Sequence, residues 1–121
     1  MKKKFIVKEH MDFTNIIKNG KYYKSNYFTI YIKDNNLKHY RFGISVGKKL
    51  GNAVVRNKIK RQMRMIIDDY KKYYQNNMDY IIIIKYSYIS GSFNEIKMAF
   101  ENIIDKMNRN INNKENKNEN K

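Results

Sequence analysis

Residues 48–64 combine closely spaced cations with a helical pattern of apolar residues. The segment reads KKLGNAVVRNKIKRQMR, and no acidic residue occurs from Lys48 to Ile67. At about 100° per residue, one side of the predicted helix collects polar, mostly cationic residues: Arg56, Asn57, Lys60, Arg61 and Arg64. Lys58 lies on the far flank of that side, nearer the edge of the apolar stripe. Because like charges on one side of a helix repel each other, the pattern indicates a surface that binds a polyanion.

The opposite side of the same segment predicts how the helix docks. Gly51 interrupts the preceding residues, and Asn52 is a suitable N-cap because its side-chain oxygen accepts a free N–H of the first turn. Apolar side chains then recur at helical spacing: Val55, Ile59, Met63, Ile66 and Tyr70. The pattern predicts a helix over residues 53–73 that packs its apolar side on a core.

The composition of the whole chain agrees with a polyanionic partner. Its 121 residues include 26 Lys and Arg against 11 Asp and Glu, a formal net charge of +15. This excess favours nucleic acid over a membrane surface, since no apolar run has the length of a transmembrane span. No apolar stretch near the N-terminus is long enough for a signal peptide, so a cytoplasmic location is expected. The lack of cysteine excludes disulfides and thiolate metal sites.

No set of residues has the spacing of a protein active site. His10 and His39 lie in weakly patterned segments. The neighbours Asp68 and Asp69 point about 100° apart on a helix, so they do not form a carboxylate pair for acid–base catalysis. No His, Asp or Glu set has metal-ligand spacing. We therefore expect no catalytic residues and no tightly bound metal in the protein itself.

A first helix is predicted over residues 12–19. Phe13, Ile16 and Ile17 recur at helical spacing, and Gly20 is a typical helix end. The apolar side of this helix should pack on a sheet. A groove between the helix and one face of that sheet would then be open to a ligand.

Three segments have the pattern of strands. Residues 27–33 and 40–46 alternate apolar and polar side chains, as strands with one buried face do, and residues 21–24 fit a further short strand. Turn-forming residues between the two longer segments predict that they form an antiparallel hairpin. In the first of them, Tyr27 and Tyr31 fall on the face opposite to the apolar stripe.

The C-terminal half predicts an inner strand and a last helix. Residues 80–84 form the continuous apolar run YIIII, which is typical of a strand covered on both faces. A capping box begins at Ser92, and an apolar stripe follows it: Ile96, Ala99, Phe100, Ile103 and Met107. We predict one domain over residues 1–107 and a disordered tail, rich in Asn and Lys, over 108–121.

The order of these elements predicts the fold class. A helix, two or three strands, the basic helix, a strand and a last helix follow one another. This order is typical of an α+β protein, and we expect a two-layer sandwich with helices packed on a small central sheet.

Two adjoining stretches also resemble a known family. RFGISVGKK at 41–49 and GNAVVRNKIKRQMR at 51–64 closely resemble the signature of the bacterial ribonuclease P protein family, with weaker similarity over 12–107. The resemblance implies the order α-β-β-β-α-β-α, with a left-handed crossover between the last two parallel strands, against the usual right-handed rule. It implies 5′ maturation of precursor tRNA, with an RNA subunit and Mg²⁺ as the catalyst. The protein would bind that RNA and the single-stranded 5′ leader. Separately from the resemblance, we predict no membrane partner and no protein partner.

The resemblance also implies roles for particular residues. Contacts to the catalytic RNA would come from Lys48, Lys49, Arg56, Asn57, Lys58, Lys60, Arg61 and Arg64. The leader groove would contain Phe13, Ile17, Tyr31 and Ser45. Five positions depart from the family: Lys58 and Asn26 where relatives often have Arg, Ile17 where they often have an aromatic residue, and Glu9 and His10 where the segment before the first helix is usually more basic. Lys58 offers a point charge in place of the planar fork of Arg.

Two other function classes fit parts of the sequence. A structural RNA-binding protein of the ribosomal type fits the charge, size and basic helix equally well, but it has no reason to prefer precursor over mature tRNA. A stand-alone protein nuclease is disfavoured by the lack of a carboxylate or histidine centre.

Overall fold

The computed structural model describes the backbone of residues 3–119 and the side chains of residues 3–111. Helices and strands follow in this order: α1 (His10–Asn19), β1 (Lys21–Lys24), β2 (Phe28–Asp34), β3 (Arg41–Ser45), α2 (Ala53–Asp69), β4 (Met78–Ile84) and α3 (Phe93–Glu119). Short 3-10 turns lie at Lys48–Leu50, Lys71–Tyr73 and Tyr86–Ser90. The predicted order of elements is confirmed, including the short strand β1.

The sheet is mixed, and β4 lies inside it. The strand order is β1-β2-β4-β3, in which β4 pairs antiparallel with β2 and parallel with β3. The predicted hairpin between β2 and β3 is therefore wrong. Ile81 and Ile82 on opposite faces of β4 are both 0% exposed, and burial of both faces favours the central position for that strand. The parallel β3–β4 pair agrees with the resemblance, while the handedness of its crossover stays a prediction.

The main core lies between one sheet face and two helices. The sheet contributes alternate residues, as predicted for β2 and β3: Phe28, Ile30, Ile32, Phe42, Tyr80, Ile82 and Ile84. Helices α2 and α3 contribute their apolar stripes: Ile59, Met63, Ile66, Ile67, Ile96, Phe100, Ile103, Ile104 and Met107. The α-helix of α2 ends at Asp69, before the predicted end at residue 73. This pair of layers confirms the predicted sandwich.

The first helix covers part of the other sheet face. A second, smaller core contains Val7, Ile16 and Ile81, with Phe13 and Tyr31 packed against it. Gly20 ends α1 as predicted, and its N–H donates to the Ile16 carbonyl oxygen at 2.8 Å. Because α1 covers only part of this face, the second sheet face remains partly open.

The last helix extends beyond its predicted end. The sequence predicts disorder from residue 108, whereas α3 continues to Glu119. Ile111 lies one helical turn after Met107 and packs against the main core. The amide of Asn110 also donates to the hydroxyl oxygen of Tyr23 at 3.1 Å. A single apolar residue in a polar stretch thus continues the stripe, and the division into a domain and a tail stays a prediction.

Candidate nucleic-acid interface

The start of α2 has the predicted cap but an unusual charge. Asn52 Oδ1 accepts the N–H of Val55 at 3.1 Å, and Gly51 before it has a φ of 143°, which favours glycine. Helix N-termini are stabilised by acidic residues in the first turn, because the aligned peptide dipoles make this end positive. The first turn of α2 contains none. The end of this helix is therefore left electropositive, which suits an anionic ligand.

Packing, not local charge, holds α2 in place. Ile59, Met63 and Ile66 are buried as predicted, and Ile67 is buried beside them. Val55 is 38% exposed, contrary to the predicted stripe, because it lies in the first turn. The helix therefore presents its polar side to solvent without depending on it for stability.

We call the polar side of α2 and the turn before it the basic face. Its exposed members are Lys48, Lys49, Asn57, Lys58, Arg61 and Arg64, and its half-buried members are Arg56 and Lys60. Within residues 3–111, salt bridges involve only Arg41 and Lys97 among the cations, so no cation of the basic face has an acidic partner. The Nε of Arg56 is buried without a hydrogen-bond partner. The basic face thus carries uncompensated positive charge.

The open sheet face, which we call the groove face, is organised in two rows across the four strands. Residues paired in register point to the same side of a sheet. One row is Tyr22, Tyr31, Ile81 and Gly43, and the next is Lys24, Thr29, Ile83 and Ser45. The first row is largely aromatic and apolar, whereas the second has polar residues at its ends.

The aromatic ring of Phe13 on α1 fits over the glycine in the first row. A methyl group at Gly43 would lie 2.5 Å from Phe13 Cζ and 2.7 Å from Ile81 Cδ1. Glycine at this position therefore lets α1 approach the sheet closely. Ile17, one turn further along α1, packs with Tyr31 against the same small core. The structure thus brings three predicted groove residues, Phe13, Ile17 and Tyr31, together.

The groove face and the basic face meet where β3 ends. Ser45, the fourth predicted groove residue, is half-buried and is the last residue of β3. Lys48 follows three residues later, a chain distance of at most about 11 Å. The two faces therefore adjoin each other along the chain at this point.

An ion pair between buried Asp79 and half-buried Arg41 fixes the edge of the groove face. Asp79 on β4 accepts hydrogen bonds from Arg41 Nε at 2.9 Å and from Asn35 Nδ2 at 2.7 Å. Arg41 Nη2 also donates to Asp79 at 2.6 Å, and Arg41 Nη1 lies 3.6 Å from Asp12 on α1. The hydrogen bonds to Asp79 raise the pKa of Arg41 above its ordinary value, against the opposing effect of burial. This fork thus ties α1, β3 and β4 together.

Comparison with known proteins adds to this geometry. A family model described as Ribonuclease P matches residues 1–108. The chain belongs to the ribonuclease P protein family. Membership in this family makes the chain a protein subunit of an endoribonuclease, with ribonuclease P RNA as its partner.

Relatives and solved structures agree with this membership. The ribonuclease P protein component of Mesoplasma florum is 40% identical over 105 residues, which cover 86% of this chain and 96% of that protein. The ribonuclease P protein of Staphylococcus aureus superposes with a TM-score of 0.77 and 34% identity, over 84% of this chain and 93% of that one. For the Thermotoga maritima protein, the TM-score is 0.73 and the identity 27%, over 81% and 93% of the two chains.

The structure also changes the set of groove residues in this ribonuclease P protein. Tyr27 was predicted on the strand face opposite the apolar stripe, but β2 begins after it, its ring lies against Gly91, and its hydroxyl donates to Glu95 at 2.8 Å. In its place, β1 brings Tyr22 and Lys24 to the groove face. The alternation of side chains in KYYK places Tyr22 and Lys24 on one face of β1. Only the pairing of β1 with β2 shows that this face is the groove face.

The sequence predicted neither a membrane-spanning segment nor a tightly bound metal ion. Among residues 3–119, no helix is both long enough and apolar enough to span a membrane. In the same described part of the chain, no three His, Asp or Glu side chains are grouped as metal ligands. The cytoplasmic location and the lack of a tightly bound metal stay predictions.

Proposed function

We propose that this chain assists the ribonuclease P RNA in removing the 5′ leader from precursor tRNA. The basic face would bind the catalytic RNA, and the groove face would hold the single-stranded leader. The observation that supports the proposal is that an uncompensated cationic helix follows closely after an aromatic groove in the chain, at Ser45 and Lys48. Cleavage itself would be performed by the RNA subunit with Mg²⁺.

The basic face would act by neutralising phosphates. Cations that bind a nucleic acid release its condensed counterions, so affinity falls steeply with salt. Cleavage at low Mg²⁺ would benefit because these side chains replace part of the ion atmosphere of the RNA. Arg61 and Arg64 would supply planar forks for phosphate oxygens, whereas Lys58 would act as a single point charge.

The groove face would act by orienting the leader. Single-stranded nucleic acid is held where aromatic side chains stack with bases and cations contact phosphates. Phe13 and Tyr31 provide rings that are half-buried, so each is held by its neighbours while part of it remains accessible. Ile17 provides apolar contact, and the Ser45 hydroxyl provides a hydrogen-bonding group beside the basic face. The protein side chains would thus position the substrate and transfer no proton.

The test is cleavage of precursor tRNA by a bacterial ribonuclease P RNA at low Mg²⁺, with and without the protein. We expect strong stimulation with cleavage at the mature 5′ end. The reconstituted enzyme should also bind precursor tRNA more tightly than mature tRNA, because only the precursor carries a leader.

Two outcomes would overturn the proposal. Tight, salt-sensitive RNA binding without stimulation and without preference for the precursor would favour a structural RNA-binding protein. Cleavage by the protein alone, with no RNA subunit present, would favour a protein nuclease.

A variant with Arg56, Arg61 and Arg64 changed to Ala serves as a negative control, since it loses three cations of the basic face.

A further inference from the structure

The groove face extends beyond the predicted leader residues onto the edge strand β1. Tyr22 pairs in register with Tyr31, and Lys24 pairs with Thr29, so both side chains lie on the groove face. Tyr23 between them points to the other face, where its hydroxyl accepts a hydrogen bond from Asn110. Neighbouring tyrosines of β1 thus have different environments, one packed on the core and one beside the groove.

The surroundings of the Tyr22 ring suit stacking with a base. Its side chain is 56% exposed, and its ring centroid lies 5.8 Å from that of Tyr31 at an angle of 46°. Lys24 Nζ lies 5.3 Å from the centre of the Tyr22 ring. A ring open to solvent, next to a second ring and a cation, matches the combination that holds single-stranded nucleic acid. The chain's net charge of +15 favours the same kind of partner.

The strand order gives this position a place along the leader. β3 carries Ser45 and leads into the basic face, whereas β1 forms the opposite edge of the sheet. Three strand spacings separate the two edges, a distance of about 14 Å. A leader that starts at the basic face and crosses the sheet therefore reaches Tyr22 last.

We propose that Tyr22 and Lys24 form a distal subsite that stacks with one further leader base and contacts its phosphate. The inference rests on the proposed leader-binding function and deepens it. Because every base has a stacking face, the subsite would extend the length of leader that contributes to affinity without selecting a base. Its effect is therefore on leader length and not on leader sequence.

The experiment measures the binding of precursor tRNAs to the enzyme reconstituted from ribonuclease P RNA and the full chain. Leaders lengthened by single nucleotides would be compared, in a uridine series and an adenosine series. For the unchanged protein, affinity should rise with leader length and then level off. For Tyr22→Ala, the affinity should level off at a leader that is one nucleotide shorter. For long leaders, this variant should bind about tenfold more weakly than the unchanged protein. Tyr22→Phe, which keeps the ring, should restore the affinity.

Matched variants separate this subsite from a general loss of function. Tyr73→Ala removes a ring of similar exposure, 51%, which contacts Tyr70 on the other side of the sheet, and should change nothing. Lys24→Ala should lower the slope of log affinity against log salt by about 0.7. Lys21 lies on the same strand but on the opposite face. For Lys21→Ala, the difference in salt slope between precursor and mature tRNA should therefore stay as in the unchanged protein.

The outcomes distinguish the inference from the function on which it rests. If the unchanged protein gives no dependence on leader length, the proposed leader-binding function fails. If leader dependence is present but Tyr22→Ala behaves like Tyr73→Ala, only the distal subsite is overturned. The distal subsite is also overturned if Tyr22→Ala weakens the binding of mature tRNA as much as that of precursor tRNA, because the loss of affinity would then not involve the leader. Equal melting temperatures of the variants would show that each remains folded.

Discussion

The basic face and the groove face are built on opposite principles. The basic face is a set of mostly exposed cations on α2 and the turn before it, and none of them has an acidic partner within the described side chains. The groove face is assembled from α1 and all four strands, and most of its side chains are at least half-buried. The cations of the basic face lie on a helix that is held by its buried apolar side. Several side chains of the groove face, in contrast, themselves pack in the smaller core.

The difference separates binding strength from stability. Changing a cation of the basic face should alter RNA affinity with little effect on folding, since repulsion there is relieved and no contact is lost. Changing a residue under the groove face should alter folding first, because the same contacts hold the sheet and α1 together. Variants of the two surfaces can therefore separate RNA affinity from stability.

The largest effect should follow from Asp79→Ala, beneath the edge of the groove face. Asp79 is 4% exposed and accepts hydrogen bonds from Arg41 and Asn35. Its loss leaves the Arg41 guanidinium without its bidentate partner, and we expect a decrease of about 3–5 kcal/mol in the free energy of unfolding. Urea denaturation measures the change.

The control for that variant is Asp69→Ala, which removes an exposed carboxylate that pairs with Lys97 at 2.8 Å. Exposed pairs contribute at most about 1 kcal/mol, so this variant should remain close to the unchanged protein. A similar small loss for Asp79→Ala would contradict the view that the groove edge is held by this ion pair.

The next effect should come from Gly43→Ala. The added methyl group would meet the Phe13 ring and Ile81 within 3 Å, and overpacking of this kind costs about 1–3 kcal/mol. We expect a lower melting temperature and weaker binding of precursor tRNA, because α1 must move away from the sheet. Thermal unfolding and substrate affinity would both be measured.

Gly47→Ala provides a matched comparison for Gly43→Ala. A methyl group there meets nothing within 4 Å, and the φ of −71° suits any residue. This change should be neutral or slightly stabilising, by at most about 1 kcal/mol. Equal tolerance at both glycines would show that Phe13 and α1 are not tightly seated over Gly43.

A smaller effect, on binding alone, is expected for Arg61→Ala on the basic face. The slope of log RNA affinity against log salt should fall by about 0.9, the contribution of one phosphate contact. The free energy of unfolding should change by less than about 0.5 kcal/mol. Lys72→Ala removes one exposed charge outside the basic face and should leave the slope nearly unchanged. A clear loss of stability in Arg61→Ala would contradict the view that the basic face contributes to RNA affinity and not to folding.

The smallest effect should come from Tyr27→Phe, outside both surfaces. The hydrogen bond from Tyr27 is the main cause that lowers the pKa of Glu95, followed by those from Ser92. A lowered pKa in the folded state stabilises the protein above the ordinary value of 4.5, and this contribution is lost as the pH falls through the lowered pKa. The difference in melting temperature between the two proteins should therefore shrink below pH 4.5.

Tyr22→Phe serves as the pH control, because no described hydrogen bond joins the Tyr22 hydroxyl to a carboxylate. A constant difference for Tyr27→Phe across this pH range would show that its hydroxyl does not stabilise ionised Glu95. RNA affinity should not respond to Tyr27→Phe at all, in contrast to changes on either surface.

The local features of this chain were predictable from its residues. The Asn52 cap, the burial of Ile59 and Met63, and the helix start at Ser92, whose Oγ accepts the N–H of Glu95 at 3.1 Å, were all predicted and are confirmed. Each depends on residues within about one or two turns of one another, so the sequence itself places the interacting groups together.

The errors concern contacts between distant residues. The hairpin of β2 and β3 was wrong because β4, more than thirty residues further on, takes the place between them. Tyr27 fitted the alternation of β2 but hydrogen-bonds Glu95, which is 68 residues away. Tyr22 was overlooked because only the pairing of β1 with β2 brings it beside Tyr31.

Backbone periodicity and neighbouring side chains account for the cationic helix, its cap, its apolar side and the alternating faces of the strands, so these features could be predicted from the residues alone. Contacts between distant segments set which strands became neighbours, why Phe13 can lie over Gly43, and how Tyr22 joins the groove face. Those contacts result from competition among all apolar segments for burial, and that competition depends on the whole chain at once.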